Sequence, residues 1–302
     1  MRARATWWWI AQAVVLVIVA LLVGRTLSRN WEAVRTADFR FSLQPGWLAA
    51  SLGLVGLTYL VLIDSWRRIL LGWGQRLAFR SAARIWFLAN LGRYVPGKVW
   101  SVAGMVVLAQ REGVEPWAAT ASAVAVQAIG IGTAVAVVAA AAPGSESPLR
   151  LAIAAVLAAG TMAILAWEFA TRQIRRLVPR FEELRPIPPS VLLASTGLTL
   201  VGWLLYGASF WALGRGLGLP PLGLPVAAAV FALGYILGLL ALFAPGGAGV
   251  REVTFIALLT PTLGAGPAIG LSLASRLLLT LTETAGGIVA LVGSRSTQGD
   301  TK

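Results

Sequence analysis

The sequence predicts an all-α polytopic membrane protein: about six full spans plus two broken, re-entrant helical hairpins in an inverted repeat. Three observations predict it. The chain of 302 residues is 58% hydrophobic but only 12% charged, about half the charge of a soluble domain, and its mean hydropathy is +0.78. Apolar stretches of about 20 residues, the length that crosses roughly 30 Å of hydrocarbon as helix, recur along its length. Two helix-breaking dipeptides, Pro96-Gly97 and Pro245-Gly246, interrupt two further apolar stretches. Charge follows each at once: Lys98 after the first, Arg251 and Glu252 after the second.

Full crossings are expected near 7–27, 45–66, 117–142, 149–169, 190–213 and 267–292. Trp7 to Trp9, Trp47, Trp66, Trp117, Trp167 and Trp211 mark several ends, as an interfacial belt of indoles should. The first apolar stretch is followed by Gly24-Arg25-Thr26 rather than a small-residue cleavage site, so it reads as an uncleaved anchor. With no long polar stretch for a second domain, residues 1–302 read as a single transmembrane domain, with half-repeats of about 45–142 and 190–293.

The broken stretches, 82–110 and 224–260, set the topology. Arginines crowd segment 67–116 and loop 170–189, whereas loops 143–148 and 261–266 carry neither Arg nor Lys. The positive-inside rule then favours cytoplasmic N- and C-termini in the cell (plasma) membrane, with loop 28–44 (Arg29, Arg35, Arg40) dissenting. On that reading the first hairpin re-enters from the cytoplasm and the second from outside, each between two full helices. Such paired interruptions are the best sequence pointer to a transporter's binding site. If both legs of each hairpin cross completely, the count rises to about ten spans.

Cys and His are absent, which removes thiol nucleophiles, disulfides, imidazole bases and the common soft metal sites. Neither metal nor cofactor is expected. The net charge of +13 points to anionic lipid headgroups rather than to nucleic acid, and the basic loop 170–185 suits the cytoplasmic membrane surface. Gly92 to Lys98 matches a phosphate-loop pattern, but Val99 stands where a magnesium-binding Ser or Thr is needed and no strand precedes it.

Charged side chains at membrane depth face a cavity or a partner. A half-helix beginning at Gly97, or at Gly246 and Gly247, exposes unpaired N–H groups and the positive end of its dipole, which together make an anion site. Lys98 and Arg251 would add full charges there, and Arg93 and Tyr94 another cation and a hydroxyl. Arg276 and Glu283 share one face of the last helix. Arg276 is a candidate to join Arg251 on a substrate anion; Glu252 and Glu283 are candidates to balance the cations or to carry a coupling proton. Asp64 is expected to pair with Arg67 or Arg68 one turn on.

At these motifs the chain resembles the flippase-like integral membrane family that includes the transmembrane region of lysylphosphatidylglycerol synthases. The resemblance rests on Asn90-Leu-Gly-Arg-Tyr-Val-Pro-Gly-Lys98, on Arg111-Glu-Gly113, and on Pro245-Gly-Gly-Ala-Gly-Val-Arg-Glu252. It implies lipid transport: movement of an anionic or aminoacylated phospholipid, or a lipid-linked intermediate, between leaflets. Aminoacyl transfer in that family belongs to an additional cytosolic domain with no counterpart in this sequence, so synthase activity is not expected. Two alternatives stay open. One is a non-transporting membrane partner of a glycosyltransferase or lipid synthase; the other is an intramembrane lipid-phosphate transferase using Asp64 or Glu252 as base.

Overall fold

The structure, a computed structural model, describes residues 42–94, 99–141, 160, 187–241 and 247–299. Apart from Gly160, the spans expected near 7–27 and 149–169, loop 170–185 and both Pro-Gly dipeptides lie outside them. Among the described residues there are eight α-helices: α1 (Pro45–Gly72), α2 (Phe79–Leu91), α3 (Val99–Arg111), α4 (Pro116–Ala140), α5 (Pro189–Gly216), α6 (Leu224–Leu240), α7 (Val250–Leu263) and α8 (Ala265–Gly299). A 3-10 turn, Gly92–Tyr94, follows α2.

Helices α1, α4, α5 and the Ala265–Val292 part of α8 are long and apolar enough to cross a membrane. The protein is therefore an all-α polytopic membrane protein. Proline opens α1, α4 and α5, where the missing N–H costs nothing and φ is already helical. Their outer faces are apolar: Leu193 is 74% exposed and Val289 72%, as suits contact with lipid. The remaining helices are shorter. At 1.5 Å per residue α2, α3 and α7 reach only about 20 Å, less than the hydrocarbon thickness, and they flank the two Pro-Gly breaks.

Helices α1 and α5 form the central seam, and serine holds it. Ser51 donates to the carbonyl of Ser209 (2.8 Å) and Ser209 donates back to that of Ser51 (2.9 Å). At the other end Ser65 donates to Ser195 O (3.0 Å) and Ser195 to Ser65 O (3.1 Å). Only an antiparallel pair can join an early residue to a late one at both ends. In a bilayer lipid competes equally for apolar faces, so close approach through small residues and interhelical hydrogen bonds carries the association. Replacing both Ser65 and Ser195 with alanine is expected to cost about 1 kcal/mol, at ~0.6 kcal/mol per bond, measured by denaturation in mixed micelles.

The two helices also end alike. Gly74 (φ 76°) and Gly218 (φ 69°) take the left-handed conformation that closes a helix. Gln75 N–H and Leu219 N–H reach back five residues, to Leu70 O and Gly214 O, at 3.0 Å each. One expectation fails here. Trp66, read as an interfacial anchor, is 0% exposed and donates its indole N–H to Ser122 Oγ on α4 at 3.0 Å. Its sequence neighbours Arg67 and Arg68 mark a helix end by composition, but the chain stays helical and inside the bundle through Gly72.

Candidate functional site

A hollow of about 570 Å³ lies between α3 and α6, with α4 contributing Gln127 and Ile131 to its wall. Asn90 of α2, Arg93 of the 3-10 turn and Ser101 of α3 line one side; Tyr235 of α6, Gly247 just before α7 and Arg251 of α7 line the other. A smaller chamber of about 70 Å³ shares Asn90, Arg93, Ser101, Gln127 and Tyr235, and adds Tyr59, Trp86, Trp203 and Tyr206. The segments on either side of the two Pro-Gly breaks thus border one hollow.

The charges around it are sorted. Arg93 donates Nη1–H to Glu283 Oε1 at 2.7 Å and Nη2–H to Asn90 Oδ1 at 2.6 Å. Glu283 is only 2% exposed, and Tyr59 donates its hydroxyl to the same Oε1 at 2.9 Å. This cluster joins α1, α8 and the turn after α2. In the second half, Arg276 donates to Glu252 Oε1 at 2.7 Å, while Glu252 Oε2 accepts the N–H of Gly249 at the start of α7, 2.6 Å away. That carboxylate satisfies an orphan N–H and the positive helix end together.

Arg251 stands differently. It donates to Ser275 Oγ at 3.1 Å, and its guanidinium lies over the rings of Phe231 (4.9 Å) and Phe255 (5.1 Å). Among the described residues no carboxylate pairs with it. Aromatic faces hold a cation without neutralising it, and Arg251 lines the hollow.

The residues singled out in the sequence therefore separate. Arg93, Gly247 and Arg251 line the hollow. Glu283 sits behind Arg93, and Glu252 and Arg276 pair with each other away from the lining. The backbone of Tyr94 belongs to the 3-10 turn; Gly97, Lys98 and Gly246 lie outside the described residues. Gly247 (φ 71°) packs so closely on α6 that an added Cβ would meet Gly238 Cα at 3.0 Å. Asp64 makes its expected local pairs, with Arg68 at 2.7 Å and Arg67 at 3.6 Å.

Sequence reasoning missed Gln127, Ser101, Tyr235 and the aromatic residues of the inner chamber. Gln127 left a signal: it is the one amide in the apolar run Ala118 to Ala140, and a polar side chain mid-span seeks a partner or a cavity. Among the described residues no group of three or more Asp or Glu is placed to hold a metal ion.

Fold and site together define the class: a polytopic helical membrane protein with a cation-bearing interior hollow. Residues 3–287 match the family model described as the lysylphosphatidylglycerol synthase TM region, so the chain belongs to that family. No curated protein matches it. Family and helix bundle support a membrane-embedded, flippase-like role.

Proposed function

We propose that the protein is a transporter that moves an anionic or aminoacylated phospholipid, or a lipid-linked intermediate, between leaflets of the cell membrane without covalent chemistry of its own. The headgroup enters the hollow while its acyl chains stay in hydrocarbon. One observation carries the reading: Arg93 and Arg251, from segments beside the two separate breaks, border a single cavity. Lys98 and the N–H groups at Gly97, Gly246 and Gly247 complete the anion site; Tyr94 adds a hydroxyl. Arg276, Glu252 and Glu283 hold the walls in place.

An inverted repeat supports alternating access. Pro45 and Pro189, Ser51 and Ser195, Ser65 and Ser209, Gly72 and Gly216, and Gly74 and Gly218 are all separated by the same interval. Ser51 bonds to Ser209 and Ser65 to Ser195, early to late, and Gly216 O accepts the N–H of Gln44. Pro116 and Pro267, Gly113 and Gly264 repeat at a second common interval. The half-repeats run about 45–142 and 190–293, each with a broken hairpin entering from opposite sides, and both termini are cytoplasmic. A pseudo-twofold of this kind gives two near-equivalent states that expose one site to either face.

The transferase alternative is disfavoured because both candidate bases are engaged: Asp64 by Arg67 and Arg68, Glu252 by Arg276 and Gly249. Arg251→Ala is expected to slow headgroup translocation in proteoliposomes by roughly tenfold, the loss of one charge-assisted hydrogen bond. Unchanged rates in a folded variant would overturn the assignment. Co-purification with a glycosyltransferase or synthase, and no lipid movement alone, would favour the partner-subunit reading instead.

A further inference from the structure

The described lining of the hollow carries two guanidinium groups, Arg93 and Arg251, and no carboxylate. Asn90 spends its Oδ1 on Arg93; a guanidinium only donates, so the amide presents its NH2 to the hollow. Tyr59 donates its proton to Glu283. Trp86 lines the inner chamber, and its Nε1–H is buried with no acceptor among the described residues. The Gln127 amide reaches both chambers without a hydrogen bond to any described residue. Arg251 reaches the lining with no ion-paired carboxylate among the described residues, and Arg93 lines it beside its bond to Glu283.

Carboxylates are missing from the same wall. Neither cavity has an Asp or Glu among its described lining residues. Glu283 is shielded behind Arg93 and Tyr59, and Glu252 is held by Arg276 and the backbone of Gly249. An ammonium group is donor-only and cationic. Here it would meet the like charge of Arg93 and Arg251 and the unmet N–H of Trp86, with no carboxylate among the described lining residues to receive it. A phosphodiester with free hydroxyls brings negative charge and many acceptor oxygens, the complement of what the wall provides.

We infer that the hollow selects acceptor-rich, anionic headgroups, a glycerol or sugar joined through phosphate, and rejects aminoacylated, cationic ones. This inference rests on the lipid-moving reading and narrows it. Gln127 sits where both chambers meet, so a charge placed there would offset that of Arg93 and Arg251. Specificity here comes as much from the repulsion built against the wrong headgroup as from contacts to the right one.

The test uses the full chain in liposomes and two fluorescent probes with identical short acyl chains, phosphatidylglycerol and its lysyl ester, followed by leaflet-resolved quenching. The phosphatidylglycerol probe is expected to move at least about tenfold faster. Gln127→Glu places a carboxylate in the hollow and is expected to reverse that order. Gln127→Leu deletes the amide without adding charge and slows the phosphatidylglycerol probe alone. Radiolabelled glycerol 3-phosphate is expected to stay outside the vesicles; uptake at a comparable rate would assign the site to a water-soluble phosphate and overturn the lipid assignment. Equal wild-type rates for the two lipids, or a faster lysyl ester, would overturn the selectivity while leaving lipid movement intact. Movement of neither lipid would remove the transport reading itself.

Discussion

Glu283→Ala is expected to destabilise the protein by about 3–5 kcal/mol, the cost of stripping one partner from a buried ion pair. Glu283 is 2% exposed and receives Arg93 at 2.7 Å and Tyr59 at 2.9 Å on one oxygen. Its removal leaves a guanidinium and a phenol in the bundle without that acceptor. Glu283→Gln keeps an oxygen of similar reach and discards the charge, so its loss should be distinctly smaller. Arg93→Ala should resemble Glu283→Ala, and the double variant should cost less than the two single losses together, because the orphaned charge is gone. Thermal melting in detergent checks all four. A Glu283→Ala protein that melts like the parent would show that the pair contributes nothing.

The consequence reaches beyond stability. Glu283 belongs to α8 in the second half of the chain, whereas Arg93 follows α2 in the first. The pair ties the turn after α2 to a full span of the opposite half, and Asn90 accepts a bond from the other terminal nitrogen of the guanidinium. Tyr59 adds α1 to the same junction. A loosened Glu283 junction should therefore disturb the hollow as well as the fold.

Much of this architecture was legible in the residues. The apolar spans placed the starts of α1, α4 and α5 within one residue of where the helices begin, each at a proline. The far ends were less legible. Arg67 and Arg68 suggested that the second span stops near 66, but Asp64 and the carbonyl of Leu77 accept their donors locally, and α1 continues to Gly72. The Pro-Gly dipeptides themselves lie outside the described residues, but helices do end on the N-terminal side of each, at Leu91 and at Leu240. The identity of ionic partners was not legible. Arg276 and Glu283 share a face seven residues apart, yet each pairs across the fold with a different segment. A single sequence records spacing along a helix; it does not record which helix lies opposite. Trp66 and Gln127 teach the same lesson in reverse. An indole beside arginines looked interfacial and is core, while an amide in a featureless apolar run lines the cavity.

The second large effect is expected from a single methyl group. Gly207→Ala would place a Cβ 2.4 Å from Ala228 Cβ and 2.5 Å from Ala228 Cα, where α5 and α6 cross. Contacts this short force the helices apart, because backbone cannot rotate aside as a side chain does. Overpacking usually costs about 1–3 kcal/mol, and this site belongs at or above the top of that range. Ala228→Gly should not restore it, since the Cα and the backbone nitrogen at 3.0 Å stay where they are. Gly234 provides the contrast. Its added Cβ would meet the ring of Phe255 at 2.3 Å, a side chain that can be shortened, so Gly234→Ala should be rescued by Phe255→Leu. Failure to rescue at Gly207 beside rescue at Gly234, read from melting in detergent, would show that α5 and α6 touch through backbone. Phe255 also supports the Arg251 guanidinium, so the Gly234 rescue should recover stability without recovering full lipid movement. A rescued protein that moves lipid at the parental rate would show that the aromatic cradle is not what positions Arg251.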